Sequence, residues 1–241
     1  MSDPGILDRV RVILVRTSHP GNIGATARAM KTMGMSRLVL VDPAAFPDPV
    51  ADARASGALD VLHAARIVPT LEAALEGTVM SAALTARRRE LSVAPVQPRE
   101  LAPALLQQAR AGEVALVFGT ESSGLTNHEV ALCTQPVTIA TNPDYSSLNL
   151  ASAVQLLCYE ARLAALDPKL PEAAADLARH EEIEGFHNHL EAVMRAAEFY
   201  DPATSRRLLP RIRRMFGRIR LEREEINILR GLLAALQRKL D

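Results

Sequence analysis

Cysteine is scarce in this 241-residue chain. Cys133 and Cys158 are the whole complement, with no CxxC spacing and no histidine partners at zinc-like intervals. That excludes a disulfide framework and predicts two buried free thiols in a reducing cytoplasm. No metal is expected: His187 and His189 flank Asn188 on a predicted helix, where they do not share a face. Long apolar runs are missing too, so no segment reaches the length of a membrane span. The start MSDPGILDRVRV lacks the basic region and apolar run of a secretory leader, and a cytoplasmic protein is expected. What remains is an ordinary globular composition, 48% hydrophobic and 23% charged. The length suits one large domain, or one domain with a small appendage.

Net charge is also absent, since 28 basic residues balance 28 acidic ones. The average conceals an asymmetry. Between Glu172 and Asp201 eight acidic residues face two arginines, whereas between Arg206 and Arg223 eight arginines face Glu222 alone. Arginine forks suit phosphate, and a clustered basic stripe is an electrostatic footprint of nucleic-acid binding. A solvated helix face paired with the acidic segment before it explains the same pattern equally well.

From Val10 to Leu166 strand-like and helix-like runs alternate. Apolar β-rich stretches occur at Val10–Val15, Leu38–Val41, Ile67–Val68, Val79–Leu84, Val114–Phe118 and Val137–Ile139. Helical patterns lie between them at Ile23–Met33, Leu71–Leu75, Pro98–Ala109 and Asn127–Leu132, with a long one from about Ser147 to Leu166. This alternation predicts a mostly parallel sheet covered on both faces, with ligands at the carboxyl ends of its strands. The two prolines of Asp167–Pro171 end the long helix. Beyond them the pattern is all helical: Glu172–Phe199, Thr204–Phe216 and Glu222–Leu240.

Three segments stand where a strand hands over to a helix: Asn22–Gly34 (NIGATARAMKTMG), Leu116–Thr126 (LVFGTESSGLT) and Asn142–Val154 (NPDYSSLNLASAV). The second imitates a phosphate loop, but Leu125 occupies the lysine position and the Glu121 carboxylate would repel phosphates. An NTPase is therefore excluded, and Glu121 is better used bracing the loop. The missing G-x-G-x-x-G disfavours a Rossmann-type oxidoreductase. In the first segment Asn22 is placed to cap a helix beginning at Ile23, and Arg28 taken alone reads as a surface cation. In the third, Ser146 or Ser147 is placed to cap the long helix, with Asn149 in its first turn.

As an ordered set, HPGNIGATARAMKTMG, LVFGTESSGLTNHE and NPDYSSLNLASAVQ resemble motifs 1, 2 and 3 of the SpoU branch of the SPOUT RNA 2′-O-ribose methyltransferases. Within that branch they look like the TrmJ group, which methylates cytidine or uridine of tRNA, typically at nucleotide 32 of the anticodon loop. The resemblance covers Val10–Arg162, and the arginine-rich tail is similar to that group's helical extension. It implies an α/β SPOUT fold, a mostly parallel sheet flanked by helices with a C-terminal deep trefoil knot, followed by a small all-α extension. Residues 1–166 would form the knotted, cofactor-binding catalytic domain. Residues 167–241 would form the extension, binding RNA or supporting a dimer.

The resemblance also implies S-adenosylmethionine as methyl donor, held by Leu84, Thr85, Ala86, Gly119, Ile139, Ser146, Ser147 and Leu148. Arg28, Ser147 and Asn149 would be the catalytic residues. Arg87, Arg88 and Arg89, together with Arg211, Arg213 and Arg214, would contact tRNA. A homodimer through the motif 1 and motif 3 helices is implied, giving the small residues Gly24–Ala29 a use. A ribosomal RNA enzyme, one acting on another tRNA nucleotide, and a non-catalytic RNA-binding assembly factor remain the alternatives.

Overall fold

The computed structural model describes residues 4–86, 94–167 and 176–240. Its centre is a six-stranded sheet: β1 (Val10–Val15), β2 (Arg37–Val41), β3 (Arg66–Val68), β4 (Thr78–Leu84), β5 (Glu113–Phe118) and β6 (Gln135–Val137). The order across the sheet is β3-β2-β1-β5-β4-β6, and every neighbouring pair is parallel. Strand side chains alternate between faces, and the two core clusters follow that period. Val12, Leu14, Leu38, Leu40, Leu116 and Phe118 enter one cluster. Ile13, Val15, Val39, Val41, Ala115 and Val117 enter the other. Burial on both faces is why these strands read as continuous apolar runs rather than as polar–apolar alternation.

Helices α1 (Pro20–Thr32), α2 (Pro49–Ala55), α3 (Leu59–His63), α4 (Leu71–Leu75), α5 (Pro98–Ala109), α6 (Asn127–Leu132) and α7 (Leu150–Leu166) surround the sheet. The first core cluster collects residues of α1, α5 and α7, while α4 and α6 cover the opposite face. α2 and α3 are two short helices beyond those the sequence pattern predicts. α2 explains the small residues of α1. A Cβ on Gly24 would stand 1.9 Å from the Ala51 carbonyl oxygen, so the bare face of α1 admits α2 of the same chain. That corrects the use assigned to Gly24–Ala29, where Ala27 and Ala29 are also buried in the chain's own core.

Strand β6 lies two residues earlier than expected, because Pro136 reads as a strand breaker. It is tolerated on an edge strand, where one ladder of amides is not needed. The tail carries α8 (His180–Ala196), α9 (Leu208–Phe216) and α10 (Arg223–Gln237), with a lone antiparallel bridge between Leu177 and Glu222. Phe186, Val193, Leu221, Ile226 and Leu233 build a third, separate apolar cluster there. Glu181 of α8 ties the tail to the sheet by accepting a hydrogen bond from the Gly77 amide at 2.9 Å.

Candidate active site at the carboxyl ends of the strands

The chain leaves β1 for β2 and β3, crosses to β4, and returns with β5 beside β1. The loops after β1 and β5 therefore emerge side by side, at the kind of topological switch point where open α/β sheets bind ligands. Glu121, in the loop after β5, reaches across. One carboxylate oxygen accepts from the Ser18 amide and hydroxyl, each at 2.9 Å. The other accepts from the His19 amide at 3.1 Å and the Asn22 side-chain amide at 2.9 Å. Partial burial pushes the Glu121 pKa up, but the donors from Ser18, Asn22 and His19 outweigh it and hold the carboxyl at about 2. The brace expected of Glu121 is thus its observed role.

Asn22 links onward. Its side-chain oxygen accepts from Asn149 Nδ2 at 2.9 Å, across 127 positions of sequence. Asn149 caps α7: its Oδ1 accepts from the amides of Ala151 at 3.0 Å and Ser152 at 3.3 Å. One line of hydrogen bonds, Asn149 to Asn22 to Glu121, therefore joins all three segments. Two expected caps are corrected here. α1 begins at Pro20, whose missing N–H costs nothing at a helix start, and His19 caps it by accepting from Gly21 at 3.0 Å. Asn22 lies inside the first turn and is left available for Glu121 and Asn149. α7 is capped by Asn149 itself, which leaves Ser146 and Ser147 in the loop before it.

Gly119 ends β5 with no room for a side chain. A Cβ there would lie 2.1 Å from the Gly124 carbonyl carbon and 2.2 Å from the Leu125 amide nitrogen. The glycine is demanded by the loop folding back on itself, with Gly124 at φ +67° making the turn. Thr126 then starts α6 with a reciprocal cap. Its hydroxyl accepts from the Glu129 amide at 3.2 Å, and Glu129 accepts from its amide at 2.7 Å.

The proposed cofactor residues fall in two groups. Leu84, Thr85 and Ala86 end β4, next to Gly119 at the end of β5 and Ile139 beyond the end of β6. The Thr85 amide donates to the Val137 carbonyl at 2.9 Å, and the Thr138 hydroxyl donates to the Thr85 carbonyl at 2.8 Å. Leu84 and Ile139 are half-buried against the same core cluster. Ser146, Ser147 and Leu148 are exposed and lead into Asn149. This edge offers aliphatic walls and backbone polar groups, without a lysine or arginine among the eight residues. That chemistry suits a cofactor that carries no phosphate.

Arg28 is exposed on α1 and makes no side-chain hydrogen bond or ion pair with another described residue; its carbonyl accepts from the Thr32 hydroxyl. It stands six residues past Asn22, about 9 Å along the helix and on another face. Arg87, Arg88 and Arg89 lie outside the described residues. In the tail Arg211 is exposed, while Arg213 forks onto both oxygens of Glu184 at 2.6 and 2.8 Å. Arg214 is half-buried and engaged within the protein. Both cysteines are buried and free, with burial pushing each thiol up to about 12. Sequence reasoning missed Ser18, His19 and Asn22 as members of the site. Their signal was faint: polar residues beside a strand end that is otherwise apolar.

A parallel sheet whose loops are braced at its switch point is an α/β architecture of the kind that binds ligands there. Residues 9–159 match the SpoU rRNA methylase family, and residues 181–241 match the C-terminal domain of the tRNA methyltransferase TrmJ. The chain belongs to the SpoU methylase family and is an RNA methyltransferase. It is 47% identical to the tRNA (cytidine/uridine/adenosine-2′-O-)-methyltransferase TrmJ of Pseudomonas aeruginosa, over 97% of this chain and 95% of that protein. The crystal structure of TrmJ from Z. mobilis ZM4 superposes with a TM-score of 0.83 at 34% identity, covering 94% of this chain and 98% of that one. The SpoU methyltransferase AviRb from Streptomyces viridochromogenes, in complex with the cofactor AdoMet, superposes with a TM-score of 0.51 at 25% identity, over 65% of this chain and 60% of that one. No helix among the described residues is long and apolar enough to cross a membrane.

Proposed function

We propose that this chain methylates a ribose 2′-hydroxyl of tRNA with S-adenosylmethionine, at cytidine or uridine 32 of the anticodon loop. The observation that carries the reading is the hydrogen-bonded line Asn149–Asn22–Glu121, which closes three distant motifs around one strand edge. The tRNA substrate is supported by the activity named for the Pseudomonas aeruginosa relative. The choice of nucleotide 32 follows from the resemblance to the TrmJ group.

When bound, S-adenosylmethionine supplies a methyl group already activated on a sulfonium. The protein's task is to hold the donor, orient the hydroxyl and ease loss of its proton. Leu84, Thr85, Ala86, Gly119 and Ile139 would hold the cofactor, together with Ser146, Ser147 and Leu148. Ser147 orients the ribose hydroxyl, and Asn149 keeps that loop in register through Asn22. A guanidinium is always protonated, so Arg28 is not the base. It clamps the adjacent phosphate and stabilises charge developing on the oxygen, while a phosphate oxygen or water accepts the proton.

The chain divides into a catalytic domain, residues 1–166, and a helical extension, residues 167–241. The separate apolar cluster of the extension supports that division. A deep trefoil knot in the C-terminal part of the catalytic domain follows from the resemblance to the SpoU branch. Leu156, Tyr159, Leu163 and Leu166 form an exposed apolar stripe along α7, which supports a homodimer through the motif 1 and motif 3 helices. Arg87, Arg88, Arg89 and Arg211 serve tRNA in the cytoplasm, whereas Arg213, held by Glu184, and Arg214, engaged within the protein, are withdrawn from that role.

Incubation with labelled S-adenosylmethionine and unmodified bulk tRNA, followed by mapping of 2′-O-methylation, tests the reading. Label at nucleotide 32 is expected. Label only in ribosomal RNA would move the substrate, and no label in any RNA would favour an assembly factor.

A further inference from the structure

A cavity of about 920 Å³ lies away from the switch point, between the catalytic sheet and the tail. It is lined by Thr78–Ser81 at the start of β4, by Asn127 and His128 of α6, and by residues of α8 and α9. It runs along the first half of β4 and extends to Asn127 and His128 at the start of α6 and to Pro136 of β6. Its volume falls in the range of small-molecule sites, about 300–1,000 Å³.

Its lining is sorted by polarity. Five arginines face two glutamates, and one of those glutamates, Glu184, is neutralised by the fork of Arg213. Arg206, Arg207 and Arg220 are exposed and form no ion pair with a described residue. Ile183, Leu209 and Phe216 add half-buried apolar and aromatic surface. His180 also lines the cavity; it is 9% exposed, and its Nε2 is buried without a hydrogen-bond partner. Burial lowers its pKa, so the ring is neutral near pH 7. An unmet buried polar atom is unfavourable, and a ligand group would relieve it.

RNA phosphates alone need a convex basic face and no apolar chamber. A purely apolar ligand has no use for three unpaired arginines. We infer that this cavity binds a nucleotide, its base among Ile183, Leu209 and Phe216 and its phosphate on Arg206, Arg207 and Arg220. Aromatic and guanidinium groups both stack on bases, and arginine forks match phosphate oxygens. The nucleotide comes either from the free pool or from an unpaired position of the bound RNA. The second source rests on the function proposed above; the first does not.

Calorimetric titration of the full chain with uridine 5′-monophosphate tests the site, since a pyrimidine is a poor mimic of the adenine end of the methyl donor. Saturable one-site binding is expected, weakened at least 10-fold by the double substitution Arg206→Ala/Arg220→Ala. Affinity for S-adenosylhomocysteine should be unchanged in that variant, and circular dichroism should confirm its fold. Leu209→Trp, which fills the chamber and keeps the charges, should weaken binding as well. Absence of saturable binding, binding unaltered by both variants, or displacement by S-adenosylhomocysteine would overturn the inference. Displacement of the mononucleotide by tRNA identifies the RNA as the source, and simultaneous binding identifies the free pool. A protein that binds the mononucleotide but methylates no RNA sinks the proposed function alone. One that methylates tRNA but ignores the mononucleotide sinks the cavity site alone.

Discussion

The two ends of the sheet use polar residues in opposite ways. At the carboxyl ends, the polar groups of Ser18, Asn22, Glu121 and Asn149 bind one another and fix three loops, while the exposed Arg28 side chain pairs with no other described residue. Near the start of β4 the tail encloses a cavity whose arginines divide between internal duty, as in Arg213, and no ion pair with a described residue, as in Arg206 and Arg220. An arginine's role here depends on whether a carboxylate has claimed it. The carboxyl edge is a preorganised frame, with Arg28 beside it as a cation that no other described residue pairs. The opposite end is a chamber with several.

Removal of that cation is the sharpest way to break the comparison. Arg28→Ala is expected to lower turnover by at least roughly 10², the cost typical of losing a preorganised charge-stabilising donor, with affinity for S-adenosylmethionine retained. Lost cofactor affinity by calorimetry would show instead that Arg28 belongs to the frame. Gly119→Ala attacks the frame itself, because the added methyl would lie 2.1 Å from backbone. Overpacking of that kind costs about 1–3 kcal/mol, so a lowered Tm and a loss of cofactor binding should appear together. Intact cofactor binding would show that the loop can give way.

Acidification should separate the two regions. The folded pKa of His187 is pushed down to about 4, chiefly by burial and then by Arg213, from an ordinary 6.5. The unfolded state therefore takes up a proton first, and stability of the tail is complete above pH 6.5 and falls as pH drops toward 4, by at most a few kcal/mol. For Glu121, depressed from 4.5 to about 2, stability is complete above pH 4.5 and is lost only as pH falls toward 2. Hydrogen exchange across this range should expose α8 before α1. Simultaneous loss would mean that tail and sheet unfold as one unit.

The smallest effect sharpens the contrast within the tail. Arg213→Ala leaves Glu184 partly buried and unpaired, at a cost of about 1–3 kcal/mol. Arg211→Ala should leave Tm unchanged and lower the salt dependence of tRNA binding by about one phosphate contact. If Arg213→Ala changed the salt slope and Arg211→Ala did not, the division between internal and external arginines would be reversed.

Much of the fold was legible because a doubly covered parallel sheet writes itself as apolar runs. Val10–Val15 is both the predicted and the observed β1, and Pro98–Ala109 is both the predicted and the observed α5. The helix starts were less legible. His19 is an unusual cap that became one because Pro20 follows it, and Asn149 displaced the two serines before it because its oxygen reaches two amides. Gly24 looked like surface prepared for another molecule, and only the approach of α2 shows why it is bare.

By itself the sequence determined the alternation of strands and helices, the exclusion of a phosphate loop at Gly119–Thr126, and the burial of both thiols. Those follow from local period, residue chemistry and hydrophobicity, which neighbours in the chain already express. Tertiary structure alone decided that Asn22 meets Glu121 and Asn149, and that Arg213 turns inward while Arg211 does not. It also placed a chamber at the far end of β4. These depend on strand order and on contacts 29 to 127 positions apart, and no local pattern records which distant carboxylate will claim an amide or a guanidinium.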